Sequence, residues 1–110
     1  MQAASLALAQ HPVLNASVNE EATELTYHAA HNICVAMDTP QGLLVPNIKN
    51  VQSKSILQIA ADLNRLQELG KAGKLGVDEL SGGTFALSNI GNVGGTYTSP
   101  VLVAPQVLSL

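Results

Sequence analysis

Aromatic residues are almost missing from this 110-residue chain, which has no tryptophan, one phenylalanine and two tyrosines. Charge is sparse as well, at 12% of residues, so aliphatic side chains dominate. A chain of that kind is expected to bury strands on both faces rather than leave one face wet. Cys34 is the sole cysteine, which excludes an internal disulfide and fits a reducing compartment. No pair of Cys or His has the spacing of metal ligands, so no metal site is expected. A net charge of −3 gives no reason to expect nucleic acid or an anionic membrane surface as partner. None of the apolar runs approaches the roughly 20 residues a membrane-crossing helix needs. No basic n-region or arginine-rich transit segment precedes the first helical stretch, and repeats and low-complexity segments are absent. The length suits one small domain.

The pattern along the chain alternates helical and extended segments. Gln2 to Gln10 reads as the end of a helix stopped by Pro12; it has no cap, and its start is expected before Met1. Asn15 to Val18 reads as a short strand, followed by a polar turn at Asn19-Glu20-Glu21. Leu25 to His28 and Asn32 to Met37 are two β-prone runs separated by Ala29 to His31, which predicts a hairpin or a bulged meander. Gly42 to Pro46 is a further apolar run whose proline places it at a strand end or an edge. Ser55 followed by Gln58 has capping-box form. Behind it Ile56, Ile59, Ala60, Leu63, Leu66 and Leu69 recur at helical spacing, predicting a helix over 54–69 ended by Gly70. Val77 to Leu80 reads as a further short turn. Ser99 to Pro105 reads as a last extended piece. The order helix, strands, helix, strand predicts an α/β sandwich with a mixed sheet.

The chemistry concentrates in Gly82-Gly83-Thr84-Phe85-Ala86-Leu87-Ser88-Asn89-Ile90-Gly91-Asn92-Val93-Gly94-Gly95-Thr96. A strand-like run from Thr84 to Leu87 leads into a Ser88-Asn89 pair among glycines, which permit φ > 0 and close approach of backbone to a ligand. A hydroxyl and a carboxamide on neighbouring residues can hold an oxyanion or the polar head of a ligand. The competing reading is a loop whose glycines serve geometry alone. The segment has neither the Gly-Lys-Ser/Thr ending of a phosphate loop nor dinucleotide-type glycine spacing.

This segment resembles the signature of the 2-oxo acid dehydrogenase acyltransferases, the lipoamide-dependent E2 components. Ala36-Met37-Asp38-Thr39-Pro40-Gln41-Gly42-Leu43-Leu44-Val45-Pro46-Asn47 is similar to a second block of that family. His11-Pro12-Val13-Leu14-Asn15-Ala16-Ser17 is similar to a third. The blocks occur in the family's order, cover nearly the whole chain, and are worded most like the branched-chain type. The resemblance implies a chloramphenicol acetyltransferase-like α/β sandwich with a mixed sheet, present here as a partial domain. It also implies a homotrimer with active sites between subunits, building a larger E2 core. E1 and E3 components would be engaged through regions outside these residues, as would the lipoyl group. The implied compartment is the mitochondrial matrix, or the cytoplasm in a bacterium.

The implied reaction moves an acyl group from the thiol of dihydrolipoamide to that of coenzyme A. Such an exchange needs a base for the attacking thiol and a donor for the tetrahedral oxyanion. The resemblance puts Ser88 in the oxyanion role and Asp38, Gln67, Ser88, Asn89 and Asn92 at coenzyme A. Asp38 reads equally as a hydroxyl acceptor or as a turn-forming Asx residue, and Gln67 as a plain surface glutamine. The family's base is a histidine in His-x-x-x-Asp-Gly, a motif these residues do not contain. His11 is expected at a helix end, with His28 and His31 structural or solvated, and Cys34 a buried inert thiol. Pro105-Gln106-Val107-Leu108 departs from the family's usual Pro-Glu-Val-Ala. The chain is therefore read as the central part of an acyltransferase catalytic domain, without its N-terminal start and the C-terminal portion carrying the histidine. Two other readings stand beside it: a truncated, catalytically incomplete paralogue with an assembly or coenzyme A-binding role, and a coenzyme A-binding relative that uses another acceptor.

Overall fold

The computed structural model describes residues 1–91, 94–97 and 99. Helix α1 spans Gln2–Gln10 and is followed by a 3-10 turn at Pro12–Asn15. Strands β1 (Ala16–Val18) and β2 (Leu25–Tyr27) form an antiparallel hairpin that pairs Ala16 with Tyr27 and Val18 with Leu25. Asn19 closes it, its Oδ1 accepting from the backbone N–H groups of Thr23 and Glu24 at 2.9 Å each. The expected partnership of the 25–28 and 32–37 runs is therefore replaced. The first run folds back on β1, because the Asn19 carboxamide, bonded to the Thr23 and Glu24 N–H groups, closes the connection before the second run begins.

The second run divides at Ala36 into β3 (Ile33–Val35) and β4 (Met37–Thr39). β4 forms its own hairpin with β5 (Gly42–Leu44), pairing Thr39 with Gly42 across Pro40-Gln41. Thr39 Oγ1 accepts from the Gln41 N–H at 3.2 Å and donates to Gly42 O at 2.7 Å. Gly42 takes φ +108° there, a region costly for any side chain. β3 lies at the centre of a mixed sheet between β6 (Asn47–Ile48), antiparallel, and β7 (Phe85–Leu87), parallel. β6 has no counterpart in the sequence reading; two residues after a proline show no periodicity to detect.

Helix α2 spans Ile56–Lys71 and starts with the expected capping box. Gln58 N–H donates to Ser55 Oγ at 3.2 Å, and Ser55 N–H to Gln58 Oε1 at 2.9 Å. Gly70 does not end it. The left-handed residue is Gly73 (φ +66°), where Lys74 N–H reaches back to Leu69 O at 2.8 Å in a Schellman closure. Gly70 is a packing glycine instead: a Cβ there would meet Thr39 Cγ2 at 3.4 Å and Leu75 Cδ1 at 3.6 Å. Helix α3 (Val77–Leu80) is a single turn. Glu79 reaches back to the Gly76 N–H at 3.0 Å and accepts from Arg65 Nη1 at 3.2 Å. Its own backbone N–H, Arg65 and the Gly76 N–H hold the Glu79 carboxyl below the usual carboxylate range.

The core is the contact of the mixed sheet with α1 and α2. Ile33, Ile48, Val51, Ile59 and Leu66 are buried together, with Met1, Ala4, Met37, Leu63 and Leu87 packed around them. The alternate positions Cys34, Asn47 and Ala86 are also buried, so the central sheet is covered on both faces, as the composition predicts. The hairpins are not; all three residues of β2 are exposed.

Candidate active site

The parallel pairing of β3 and β7 fixes the site's frame. Val35 stands opposite Leu87, so both strands leave the sheet at one end. Ser88 is the first residue beyond β7 there, and the chain from β3 enters β4 and Asp38 within about 10 Å of extended backbone. Leu87 and Met37 turn to the core; by alternation Ser88 and Asp38 turn away from it. Both are exposed, and neither side chain makes a hydrogen bond or ion pair with another described residue.

Asp38 lies within the β4 ladder opposite Leu43. The turn is made by the Thr39 hydroxyl, which removes the turn-forming reading of Asp38. Gln67 is exposed on α2, one turn before Gly70, where the helix backs onto Thr39 beside Asp38. The strand register thus puts Asp38 and Ser88 beyond the same end of the β3–β7 pair, with Gln67 one helical turn from the contact of Gly70 with Thr39. Asn89 is exposed, and its Oδ1 accepts from the Gly91 N–H at 2.9 Å. That Asx turn holds the backbone after Ser88, and Gly94 and Gly95 follow with φ of +83° and +122°. Asn92 lies outside the described residues, as does all of the 99–105 extended piece beyond Ser99.

No histidine joins this end of the sheet. His11 caps the C-terminus of α1 and is exposed. His31 is buried with Nδ1 at 2.6 Å from Ser5 Oγ, its N–H donating to Gln52 Oε1 at 2.9 Å. Desolvation pushes its pKa down from 6.5. His28 packs on the β1–β2 hairpin with Nε2 at 3.1 Å from Ser17 Oγ, a pairing unread in the sequence because it depends on β2 folding onto β1. Cys34 is buried in β3. Among the described residues no group of His, Cys, Asp and Glu is placed to hold a metal ion, and no helix is long and apolar enough to cross a membrane.

The end of β7 presents an open hydroxyl beside glycines, a group able to donate a hydrogen bond to a ligand oxygen, and the chain beyond the paired β3 presents an open carboxylate. Residues 1–109 match the family model described as 2-oxoacid dehydrogenases acyltransferase (catalytic domain). The chain is 61% identical over 107 residues to the lipoamide acyltransferase component of the branched-chain alpha-keto acid dehydrogenase complex, mitochondrial, of Bos taurus. It is 55% identical over 107 residues to the protein of the same name from Caenorhabditis elegans. Both matches take in 97% of the chain but only 22% and 24% of those relatives. Among solved structures it resembles the dihydrolipoamide acetyltransferase of Azotobacter vinelandii, with a TM-score of 0.91 and 39% identity. It also resembles the cubic core of a pyruvate dehydrogenase multienzyme complex, with a TM-score of 0.88 and 40% identity. Each superposition covers 96% of this chain and 43% of the solved one. The α/β fold with its mixed sheet is the one those catalytic cores share, and the chain belongs to the catalytic-domain family of the 2-oxoacid dehydrogenase acyltransferases.

Proposed function

We propose that the chain is the central part of a catalytic domain that moves an acyl group, of the branched-chain type, from dihydrolipoamide to coenzyme A. The observation that carries this reading is the exposed Ser88 hydroxyl at the end of β7, at the same sheet end as Asp38. In the reaction the coenzyme A thiolate attacks the thioester carbonyl; the carbon–sulfur bond to dihydrolipoamide breaks, and the departing thiolate takes up the proton removed from the attacking thiol. Ser88 donates to the oxyanion formed between those events. Asp38, Gln67 and Asn89 line the approach of coenzyme A, with Asp38 accepting from a hydroxyl of the pantetheine arm or ribose, and the family resemblance assigns Asn92 the same ligand. No described histidine stands near Ser88, so the base is contributed from outside the described residues, as is the lipoyl group.

The names of the similar proteins support a place in a branched-chain 2-oxo acid dehydrogenase complex, and their mitochondrial designation supports the matrix as its compartment. A homotrimeric unit of a larger core, working with E1 and E3 components, completes the reading. The test is Ser88→Ala in the full-length protein. Losing one oxyanion donor costs about 100- to 1000-fold in turnover, with substrate binding little changed. A loss below tenfold removes Ser88 from this role. The competing reading, a catalytically incomplete chain that serves assembly or coenzyme A binding, requires the wild-type full-length protein itself to lack transfer activity.

A further inference from the structure

At the opposite end of β7 a hydroxyl, an imidazole and a cavity come together. The β1–β2 ladder pairs Ser17 with Thr26, leaving His28 just beyond it with Nε2 at 3.1 Å from Ser17 Oγ. The buried Asn15 fixes this corner. His28 N–H donates to Asn15 O at 2.9 Å, and Asn15 Nδ2 donates to His28 O at 2.9 Å and Ala30 O at 3.0 Å. The backbone of His28 is thus tied on both sides, and its place beside Ser17 is set before any ligand arrives.

The pair opens on a cavity of about 400 Å³ whose far wall is Gly82, Gly83 and Thr84. Asn32 and Thr84 are engaged within that wall. Asn32 Nδ2 donates to Gly82 O at 2.8 Å, its Oδ1 accepts from Asn50 N–H at 3.0 Å, and its own N–H donates to Thr84 Oγ1 at 3.1 Å. The polar side chains of the lining that are not tied into that wall are therefore Ser17, His28 and Tyr27. No Lys, Arg, Asp or Glu lines the cavity, which suits a reacting group without charge. Four residues of extended chain, about 13 Å, separate Thr84 from Ser88.

We propose that Ser17 and His28 form a nucleophile–base pair that accepts an acyl group from an uncharged activated ester or thioester. The Ser17 Oγ–carbon bond forms as the carbonyl's bond to its sulfur or aryloxy group breaks. His28 Nε2 takes the hydroxyl proton and returns it to the leaving thiolate or phenolate, so no redox partner is needed. The assignment is independent of acyl transfer at Ser88.

The experiment treats the full-length protein with p-nitrophenyl acetate and maps the acetyl group by peptide mass spectrometry. The expected result is a single acetyl on Ser17, matched one-to-one by released p-nitrophenolate. Ser17→Ala abolishes this adduct, and His28→Gln slows its formation about 100-fold or more. A wild-type protein that stays unlabelled, an acetyl group on Ser88 or another residue in place of Ser17, or an unchanged rate in His28→Gln overturns the proposal. The wild-type measurement decides whether or not the variants fold.

Discussion

His31 shows how one buried side chain sets a condition on the whole fold. Its ring ties α1 to the start of β3 through Ser5, and burial favours the neutral imidazole. The unfolded chain takes up a proton near pH 6.5, whereas the folded chain resists it until lower pH. Stability from this group is therefore complete above pH 6.5 and declines as pH falls toward the lowered folded value, below which the loss levels off. Urea titrations of wild type and His31→Gln at a series of pH values from 7.5 to 5 check this. The difference between the two should shrink as pH falls; a constant difference rules the linkage out. In the sequence His31 is one of three histidines, and nothing in its neighbours marks it as buried. Ser88 was easier to read, because the Gly82–Gly83 pair and the strand-like run before it specify its position locally. Asp38 comes to the same sheet end as Ser88 through the parallel β3–β7 pairing, which joins residues about fifty positions apart, whereas Gln67 is placed by the packing of α2 on Thr39.

Elements whose signals are local formed as the sequence predicts, and those that depend on remote partners did not. The capping box at Ser55 is a four-residue signal, and α2 begins there. Ser55→Ala should cost about 0.5–2 kcal/mol of stability, read as a lower denaturation midpoint at unchanged slope. The other end of α2 was misread at Gly70, since helix-stop chemistry and close packing both select glycine. The two roles make different predictions. Gly73→Ala forces a side chain into the left-handed region, costing about 1–2 kcal/mol, and sets its Cβ against the Gln41 amide. Gly70→Ala keeps helical backbone and meets Thr39 and Leu75 at ordinary to tight contact, so a smaller loss is expected. Equal losses for the two glycines, measured by thermal melts, would remove the Schellman assignment. Strand partnership had no such local signal. β2 pairs with β1 because Asn19 turns the chain at once, and β6 is recognisable only by what it bonds to.

At the scale of the molecule, the covering is uneven. The central sheet is buried on both faces, yet the hairpins each present an edge strand that is unpaired among the described residues, and large aliphatics stand in solvent. Leu57 is 82% exposed, Val77 79% and Leu43 69%. Val18 and Leu25, directly opposite one another in the first hairpin, are also exposed. Exposed large aliphatics and open strand edges of this kind mark surfaces that another protein copy or segment covers. The similarity to a cubic multienzyme core points the same way. Hydrophobic association is little affected by salt, whereas contacts between surface charges are screened. Sedimentation velocity of the 11.4 kDa chain over a dilution series should therefore show multimers that persist at high salt. A single monomeric species at every concentration, unfolding in one sharp transition, would mean that the exposed aliphatics need no partner and that assembly is carried elsewhere in the protein.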